Sequence, residues 1–326
     1  MGGAQMTYFY HSVVDSPLLP REIESESAPS LMLLLIGEFW RYSPELTIPS
    51  AALVELVRPL GVSAEAARAS LSRLSRRGTL EVSRSGRRTS YALSPEVAAT
   101  VPVSERLTMA FGREERLWDG EWTVVVFSLS EQERDRRQRL REWLRWLGFG
   151  PARDGVWVSP HADVSLVESS LVDFLPSDGL IFRSSHMVGD VNEHELWPLG
   201  EIREMYLTFI SDLRQFVYRL RAGEVAPAEA LKIALLVLGR WRGFPTVDPD
   251  LPAQYLPSDW PRREARRLFV SVYDACVPLA NQYVRDVLMK YDPELARTTG
   301  ALTVEEALEH YATQQEQSVD VALIER

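Results

Sequence analysis

Seven arginine side chains lie within residues 62–91, and a cluster of this kind suggests chemistry with a polyanion. Only two acids accompany them, so the stretch has a net charge of +5, whereas the 326-residue chain has a net charge of −10. Guanidinium groups bind phosphate oxygens and guanine edges through their forked donors. Positive charge concentrated on an acidic protein indicates a nucleic-acid-binding surface. The arginines are Arg68, Arg73, Arg76, Arg77, Arg84, Arg87 and Arg88, and the acids are Glu65 and Glu81.

Capping residues and glycines divide the surrounding sequence into three helices and a hairpin. Gly61 and Gly78 are placed to end the second and third helices, and Ser85-Gly86 is typical of a hairpin turn. This order predicts a winged helix-turn-helix, in which the third helix enters the major groove of DNA. The expected elements are a helix capped by Ser30, a helix over Ala51–Leu60, a helix from Ser63 to Arg77, and strands Thr79–Arg84 and Arg88–Leu93.

The third helix is amphipathic, with Ala67, Ser70, Leu71 and Leu74 on the face that we expect to pack inward. On the opposite face Arg68 is the best placed for a base contact, and the arginines further along suit phosphates. A solvated basic helix followed by an arginine-rich turn is the alternative interpretation. The candidate DNA-binding residues are Ser63, Ala64, Glu65, Arg68, Ala69, Ser72, Arg73, Arg76, Arg84, Arg87 and Arg88.

Glu65 does not fit this basic face, and two roles are open for it. Its carboxylate could accept a hydrogen bond from a cytosine amino group, or it could complement the helix dipole in the first turn. In the hairpin, Tyr91 could stack or pack. The general preference for arginine over lysine is explained by GC-rich codon usage, so only the clustering counts as functional evidence.

Composition indicates an ordinary globular protein: 45% of residues are hydrophobic and 25% are charged. No apolar run approaches the roughly 20 residues that span a bilayer, and the N-terminus lacks the pattern of a secretory signal. We therefore expect a cytoplasmic protein without membrane contact. The single cysteine, Cys276, excludes an internal disulfide and is expected to be a buried, inert thiol.

The remaining sequence predicts further domains and an α+β class overall. A β-α-β-α-β pattern with room for one more short strand predicts a ferredoxin-like α/β sandwich, in which Trp143, Trp146 and Trp157 are expected in the core. Helices over Leu199–Ala222, Ala228–Arg242 and Pro261–Met289 follow. The expected divisions are a disordered arm (1–29), the winged helix-turn-helix (30–94), a helical connector (95–117), the ferredoxin-like domain (118–188), a helical C-terminal domain (189–291) and an acidic tail (292–326).

Three stretches resemble the PaaX-type repressors, which control phenylacetate degradation in bacteria. They read LSRLSRRGTLEVSRSGRRTSYALSPE, WDGEWTVVVFSLSEQERDRRQRLREWLRWLGFGPARDGVWVSP and FPTVDPDLPAQYLPSDWPRREARRLF. The resemblance covers roughly residues 30–290. It implies a winged helix, a central ferredoxin-like domain similar to that of a small CRISPR-associated endonuclease, and a helical C-terminal domain. It further implies a homodimer on a double-stranded DNA operator that is released by an acyl-CoA, which is phenylacetyl-CoA for the namesake.

A second group of cations brackets a proline-rich loop over Phe244–Pro261 and could meet an anionic ligand such as a CoA phosphate. The alternative is that these arginines cover a helix surface and pair with acids. Asp248, Asp259 and Trp260 in the loop are expected to be turn and capping residues. The candidate ligand-binding residues are Arg240, Trp241, Arg242, Arg262, Arg263 and Arg266.

No catalytic constellation, cofactor motif or metal site is apparent, so we expect a protein that is not an enzyme. His186, Asp190, Glu193 and His194 lack a recognised ligand spacing and are expected to form a polar loop. The endonuclease relatives hold a divalent metal through an aspartate near the end of their first strand, but this chain has no carboxylate there until Glu131. A metal-dependent nuclease or an RNA-binding module built on the ferredoxin-like domain is the alternative function.

Overall fold

The computed structural model describes residues 27–43, 46–114, 117–162, 164, 167, 176, 179–185 and 196–313. The first six elements form a unit of helices and a small sheet. The helix cap differs from the expectation: Ser27, not Ser30, accepts the backbone N–H bond, so the first helix begins inside the predicted arm. The elements are α1 (Ala28–Trp40), β1 (Ile48–Pro49), α2 (Ser50–Leu56), α3 (Ala64–Arg76), β2 (Leu80–Ser85) and β3 (Arg88–Leu93).

The sheet of this N-terminal unit is antiparallel, with the order β1-β3-β2. Leu80 pairs with Leu93 at one end of the hairpin, and Ser85 pairs with Arg88 beside the turn. The second predicted helix is split, because α2 ends at Leu56 and a 3₁₀ turn covers Arg58–Leu60. Two helices, α4 (Pro95–Ala98) and α5 (Val101–Ala110), then lead out of the unit.

A four-stranded antiparallel sheet with the order β5-β6-β4-β7 forms the centre of the chain. Its β-α-β-β arrangement before β7 is consistent with the expected ferredoxin-like domain, and β5 is the additional short strand. The second helix expected in this domain, over residues 162–174, lies largely outside the described residues. The elements are β4 (Trp122–Val126), α6 (Arg134–Trp146), β5 (Gly150–Arg153), β6 (Val156–Ser159) and β7 (Leu180–Ser184).

The central sheet and α6 enclose a small core of their own. Trp143 and Trp157 lie in it with Val125, Leu140 and Phe149, which confirms that these two tryptophans are core residues. The first strand stops at Val126, three residues before the expected end. Phe127 nonetheless remains attached to the sheet, because its N–H donates to the carbonyl of Gly155.

Three long helices dominate the remainder: α7 (Leu199–Arg221), α8 (Pro227–Val247) and α9 (Arg262–Leu288). Helix α8 continues five residues beyond its expected end, through Pro245, so the proline-rich loop is shorter than predicted. Proline removes only one backbone donor there, and the wholly buried side chains of Trp241 and Phe244 hold that turn against the core. In the described part of the chain, no helix is long and apolar enough to cross a membrane.

Residues 292–313, expected as part of an acidic tail, are packed against α9 instead. Helix α10 (Pro293–Thr298) is capped by the side chain of Asp292, and residues 304–313 are also helical. Val304 and Tyr311 are buried, so this acidic segment contributes apolar side chains to the core. The sequence is acidic because the outward faces of these helices carry the carboxylates.

One continuous apolar core joins the N-terminal unit to the C-terminal helices. Leu35 of α1, Leu71 of α3, Trp241 of α8 and Phe269 of α9 belong to the same buried cluster. Cys276 lies in α9 and is fully buried, as expected, and burial raises the pKa of its thiol to about 12. The N-terminal unit therefore rests on the C-terminal helices through an extensive apolar contact.

Candidate nucleic-acid interface

Helix α3 begins and ends as its sequence predicts. The hydroxyl of Ser63 accepts a hydrogen bond from the N–H of Ala66 at 3.1 Å, which satisfies one of the free donors at the helix start. Glu65 lies in the first turn, and Arg73 and Arg76 lie in the last, so all three charges complement the helix dipole. Gly78 ends the helix with a φ of +74°, a conformation that glycine adopts without strain.

The face of α3 that was expected to pack inward does so. Ala67, Ser70, Leu71 and Leu74 are buried, and the Ser70 hydroxyl donates to the carbonyl of Ala66 at 2.7 Å. This bond leaves the Ser70 oxygen free to accept from Arg73, whose Nη2 lies 3.3 Å away. On the opposite side Ala64 is half-buried, and the residues that are exposed are Ser63, Glu65, Arg68, Ala69, Ser72, Arg73 and Arg76.

The hairpin presents its arginines at the end of a narrow ribbon. Gly86 has a φ of +59° and Arg87 has no positive φ, so the two-residue turn is of type II′. Arg84 pairs with Thr89 across the ribbon, and Arg88 pairs with Ser85. Arg84, Arg87 and Arg88 are all exposed, whereas Tyr91 is half-buried.

The seven arginines of residues 62–91 share one electrostatic property. All are exposed, and within the described part of the chain none of them forms an ion pair with a carboxylate. Helix α6 is equally rich in arginine but differs, since Arg136, Arg137 and Arg141 each pair with an acid. The positive charge of α3 and the hairpin is therefore available to an external anion.

The second predicted cluster is largely engaged inside the protein. Trp241 is fully buried, stacks on Phe269 at 4.9 Å and donates its indole N–H to the carbonyl of Thr108. Arg240 pairs with Asp212 at 2.8 Å and lies over the ring of Phe209. Burial lowers the pKa of Arg240, and its bond to Asp212 opposes that effect.

The arginines at the start of α9 divide in the same way. Arg262 pairs with Asp248 at 3.3 Å and with Asp250 at 2.5 Å, so it fastens the proline-rich loop to α9. Arg266 donates to the carbonyl of Phe111 at 2.9 Å, and burial lowers its pKa to about 10. Arg263 is exposed.

Arg242, the sixth residue of the predicted cluster, is half-buried and donates to the hydroxyl of Ser104. Asp248 is the turn residue expected from the sequence, since its carboxylate accepts from the N–H of Asp250. It also accepts from the hydroxyl of Tyr206 at 2.7 Å. Burial, reinforced by the charge on Asp248, raises the pKa of Tyr206 well above its usual value.

Sequence comparison assigns the chain to a family. A profile described as "PaaX-like protein" matches residues 27–97, one described as "PaaX protein central Cas2-like domain" matches residues 115–196, and one described as "PaaX-like protein C-terminal domain" matches residues 197–286. The chain belongs to the PaaX family. A curated relative, the transcriptional repressor PaaX of Escherichia coli (strain K12), is 29% identical over 290 residues, which cover 86% of this chain and 87% of the relative.

A solved structure of another protein supports the fold. It is described as uncharacterized protein Rv0674 from Mycobacterium tuberculosis, and it matches with a TM-score of 0.53 and 21% sequence identity. The match covers 80% of this chain and 97% of that one. At this identity the likeness shows a shared PaaX-type arrangement of the chain and no more.

A buried ionic cluster escaped the sequence analysis. Arg41 at the end of α1 lies 2.5 Å from Glu38 and 3.2 Å from Glu105 of α5, and Tyr273 of α9 donates to Glu38. Glu38 and Arg41 are three residues apart on a helix, which in sequence resembles an exposed pair. Only the packing of α5 and α9 over α1 buries it, so no signal in the sequence distinguishes it.

Two other expectations concern metals. Among the described residues, no group of histidine, cysteine and acidic side chains is arranged to hold a metal ion. His186, Asp190, Glu193 and His194 lie outside the described residues, so the structure does not test the polar loop expected there.

Proposed function

We propose that this chain is a transcriptional repressor that binds double-stranded DNA through α3 and the β2–β3 hairpin. The observation that carries the proposal is the set of seven exposed arginines without a carboxylate partner in the described part of the chain. Cations that remain unpaired can exchange condensed counterions for phosphates, which supplies most of the affinity for DNA. The relation to the transcriptional repressor PaaX of E. coli supports the same activity.

We assign the contacts by position along the two elements. Small exposed side chains at the start of α3 would allow close approach to base edges, and Arg68 in the second turn would read a base. Ser72, Arg73 and Arg76 would hold phosphates, with Arg73 oriented by its bond to Ser70. Arg84, Arg87 and Arg88 would meet the backbone or the minor groove beside the site.

In this proposal residues 30–94 form a winged helix-turn-helix, residues 95–117 a connector, residues 118–188 the ferredoxin-like domain and residues 189–291 a helical C-terminal domain. The three helices and the antiparallel hairpin of the N-terminal unit support the first assignment. The protein would act as a homodimer on a palindromic operator, so that two copies of α3 lie about one DNA turn, roughly 34–36 Å, apart.

Release by an acyl-CoA effector such as phenylacetyl-CoA completes the proposal. The close packing of the N-terminal unit on the C-terminal helices supports such a coupling. Glu55 of α2 pairs with Lys290 at 2.7 Å and accepts from Tyr291 at 2.8 Å, both just after α9. A ligand that displaces the C-terminal helices would therefore carry α3 with them and change the spacing of the two recognition helices.

A gel-shift titration of the DNA upstream of the gene tests the proposal. Arg68→Ala should weaken specific binding by about 1–3 kcal/mol, the value of one good base contact. Arg297→Ala is the matched control, since Arg297 is exposed but pairs with Glu294 in α10. Phenylacetyl-CoA should release the wild-type protein. No specific shift at low salt would refute the proposal, and DNA cleavage that a chelator abolishes would favour the nuclease alternative.

A further inference from the structure

A cavity of about 290 Å³ lies where the end of α1 meets the C-terminal helices. One wall is formed by the aromatic side chains of Phe39, Trp40 and Tyr42. The other is formed by Arg285 of α9, by residues 298–302 after α10, and by His310. Neither the arginine-rich surface of α3 nor the cluster around Arg240 contributes to this cavity.

Arg285 is the charged group of the cavity, and its position is fixed. Its Nε donates to the carbonyl of Thr299 at 3.0 Å, which orients the guanidinium group. Among the described residues it forms no ion pair with an acid, unlike Arg297 nearby. Gly300 lies so close that a Cβ there would be 3.0 Å from Nη2 of Arg285. A held, unpaired guanidinium at the side of a cavity is a receptor for an oxyanion.

The polar side chains beside Arg285 add few donors. The hydroxyls of Thr298 and Thr299 both donate to the carbonyl of Leu295, at 3.2 and 2.8 Å. The opposite wall is flat and apolar, and Tyr42 meets His310 edge-on at 4.5 Å between ring centroids. The cavity thus combines a single cationic group with an aromatic surface.

We propose that this cavity binds a small carboxylate with an aromatic body. The carboxylate would pair with Arg285, and the ring would pack against Phe39, Trp40 and Tyr42. The volume lies at the lower end of the roughly 300–1,000 Å³ of ligand pockets, which suits a compact acid better than a whole nucleotide-containing thioester. This site is therefore distinct from a site for the CoA portion of an effector.

The position of the cavity gives the site a route to DNA binding, a consequence that rests on the proposed function. Its aromatic wall belongs to the last turn of α1 and the residues that follow, and α1 packs directly against α3 in the shared core. A ligand held between α1 and α9 would therefore change the restraint on the recognition helix. By linkage, any effect of the acid on DNA affinity must equal the effect of DNA on its own affinity.

Isothermal titration of the full-length protein without DNA tests the site. The probes are benzoate and phenylacetate, with benzamide and phenylacetamide as neutral analogues of the same shape. We expect at least one carboxylate to bind and the amides to bind at least tenfold more weakly. Arg285→Gln should weaken carboxylate binding at least tenfold, whereas the control Arg297→Gln should leave it unchanged. Thr298→Trp, at an exposed position in the wall, should block entry.

Three outcomes would overturn the site: no binding of either acid at millimolar concentration, equal binding of acids and amides, or binding that Arg285→Gln leaves intact. Binding of phenylacetyl-CoA alone, without either free acid, would also contradict it. Because the titration uses no DNA, its result is independent of the gel shift. A failure of the repressor proposal and a failure of this site can therefore be told apart.

Discussion

Replacing Arg41 with methionine should destabilise the protein strongly, because this arginine neutralises two buried carboxylates. Its side chain is 0% exposed, and those of Glu38 and Glu105 are 2% exposed. Removing one partner of a buried pair costs about 3–5 kcal/mol, since the remaining charge stays in a poorly solvating interior. Two carboxylates lose their cation here, so we expect a loss near the upper end of that range.

The loss should depend on pH in a direction that the cluster fixes. Burial raises the pKa of Glu105, Arg41 lowers it, and the charge of Glu38 raises it further. Without Arg41 the pKa of Glu105 in the folded state rises again above its unfolded value. A raised carboxyl pKa gives stability below the unfolded pKa, near 4.5, that is lost as the pH rises through the folded pKa. The variant should therefore be closest to wild type in mild acid.

Urea titration followed by tryptophan fluorescence measures both effects. Arg113→Met is the matched control: its ion pair with Glu305, at 3.3 Å, is about half exposed, so its loss should cost less than about 1 kcal/mol. Adding Glu38→Gln and Glu105→Gln to Arg41→Met should restore part of the stability. A loss below about 1 kcal/mol for Arg41→Met, or one that grows in acid, would refute the reasoning.

Three further predictions concern the DNA-binding surface and the core. The triple change of Arg84, Arg87 and Arg88 to alanine should lower the slope of log affinity against log salt by about 2.7, if each contacts one phosphate; an unchanged slope would exclude the hairpin from the interface. Ser63→Ala should cost about 1 kcal/mol of unfolding free energy through loss of the cap, and Ser63→Gly clearly less, as urea titration would show. Trp241→Ala should cost about 3–5 kcal/mol, because the side chain is fully buried; a near-neutral effect in the same titration would contradict its place in the core.

Local sequence patterns predicted the elements that carry the candidate interface. Ser63 and Gly78 delimit α3, and the positions of Leu71 and Leu74 settle which face is buried. These features depend on neighbours within a few residues, so backbone geometry and helical periodicity suffice to predict them. The charge contrast between residues 62–91 and the rest of the chain was likewise visible in the sequence.

The state of each arginine was decided only by tertiary structure. Arg240 and Arg262 looked as available as Arg68, yet Asp212, Asp248 and Asp250 pair with them from other elements. The sequence does not reveal which carboxylates will face a given guanidinium, because these partners meet only after the helices have packed.

The acidic segment after residue 291 shows the same division between sequence and packing. Its composition suggested a tail, but Val304 and Tyr311 are buried against the helical core as far as residue 313 is described. The Arg41 cluster and the cavity beside Arg285 likewise form between segments more than 200 residues apart. The sequence alone determined the elements and the charge of the DNA-facing surface, because both follow from local spacing. Tertiary structure decided which charges stay free and where an enclosed space remains, because both depend on contacts between distant segments.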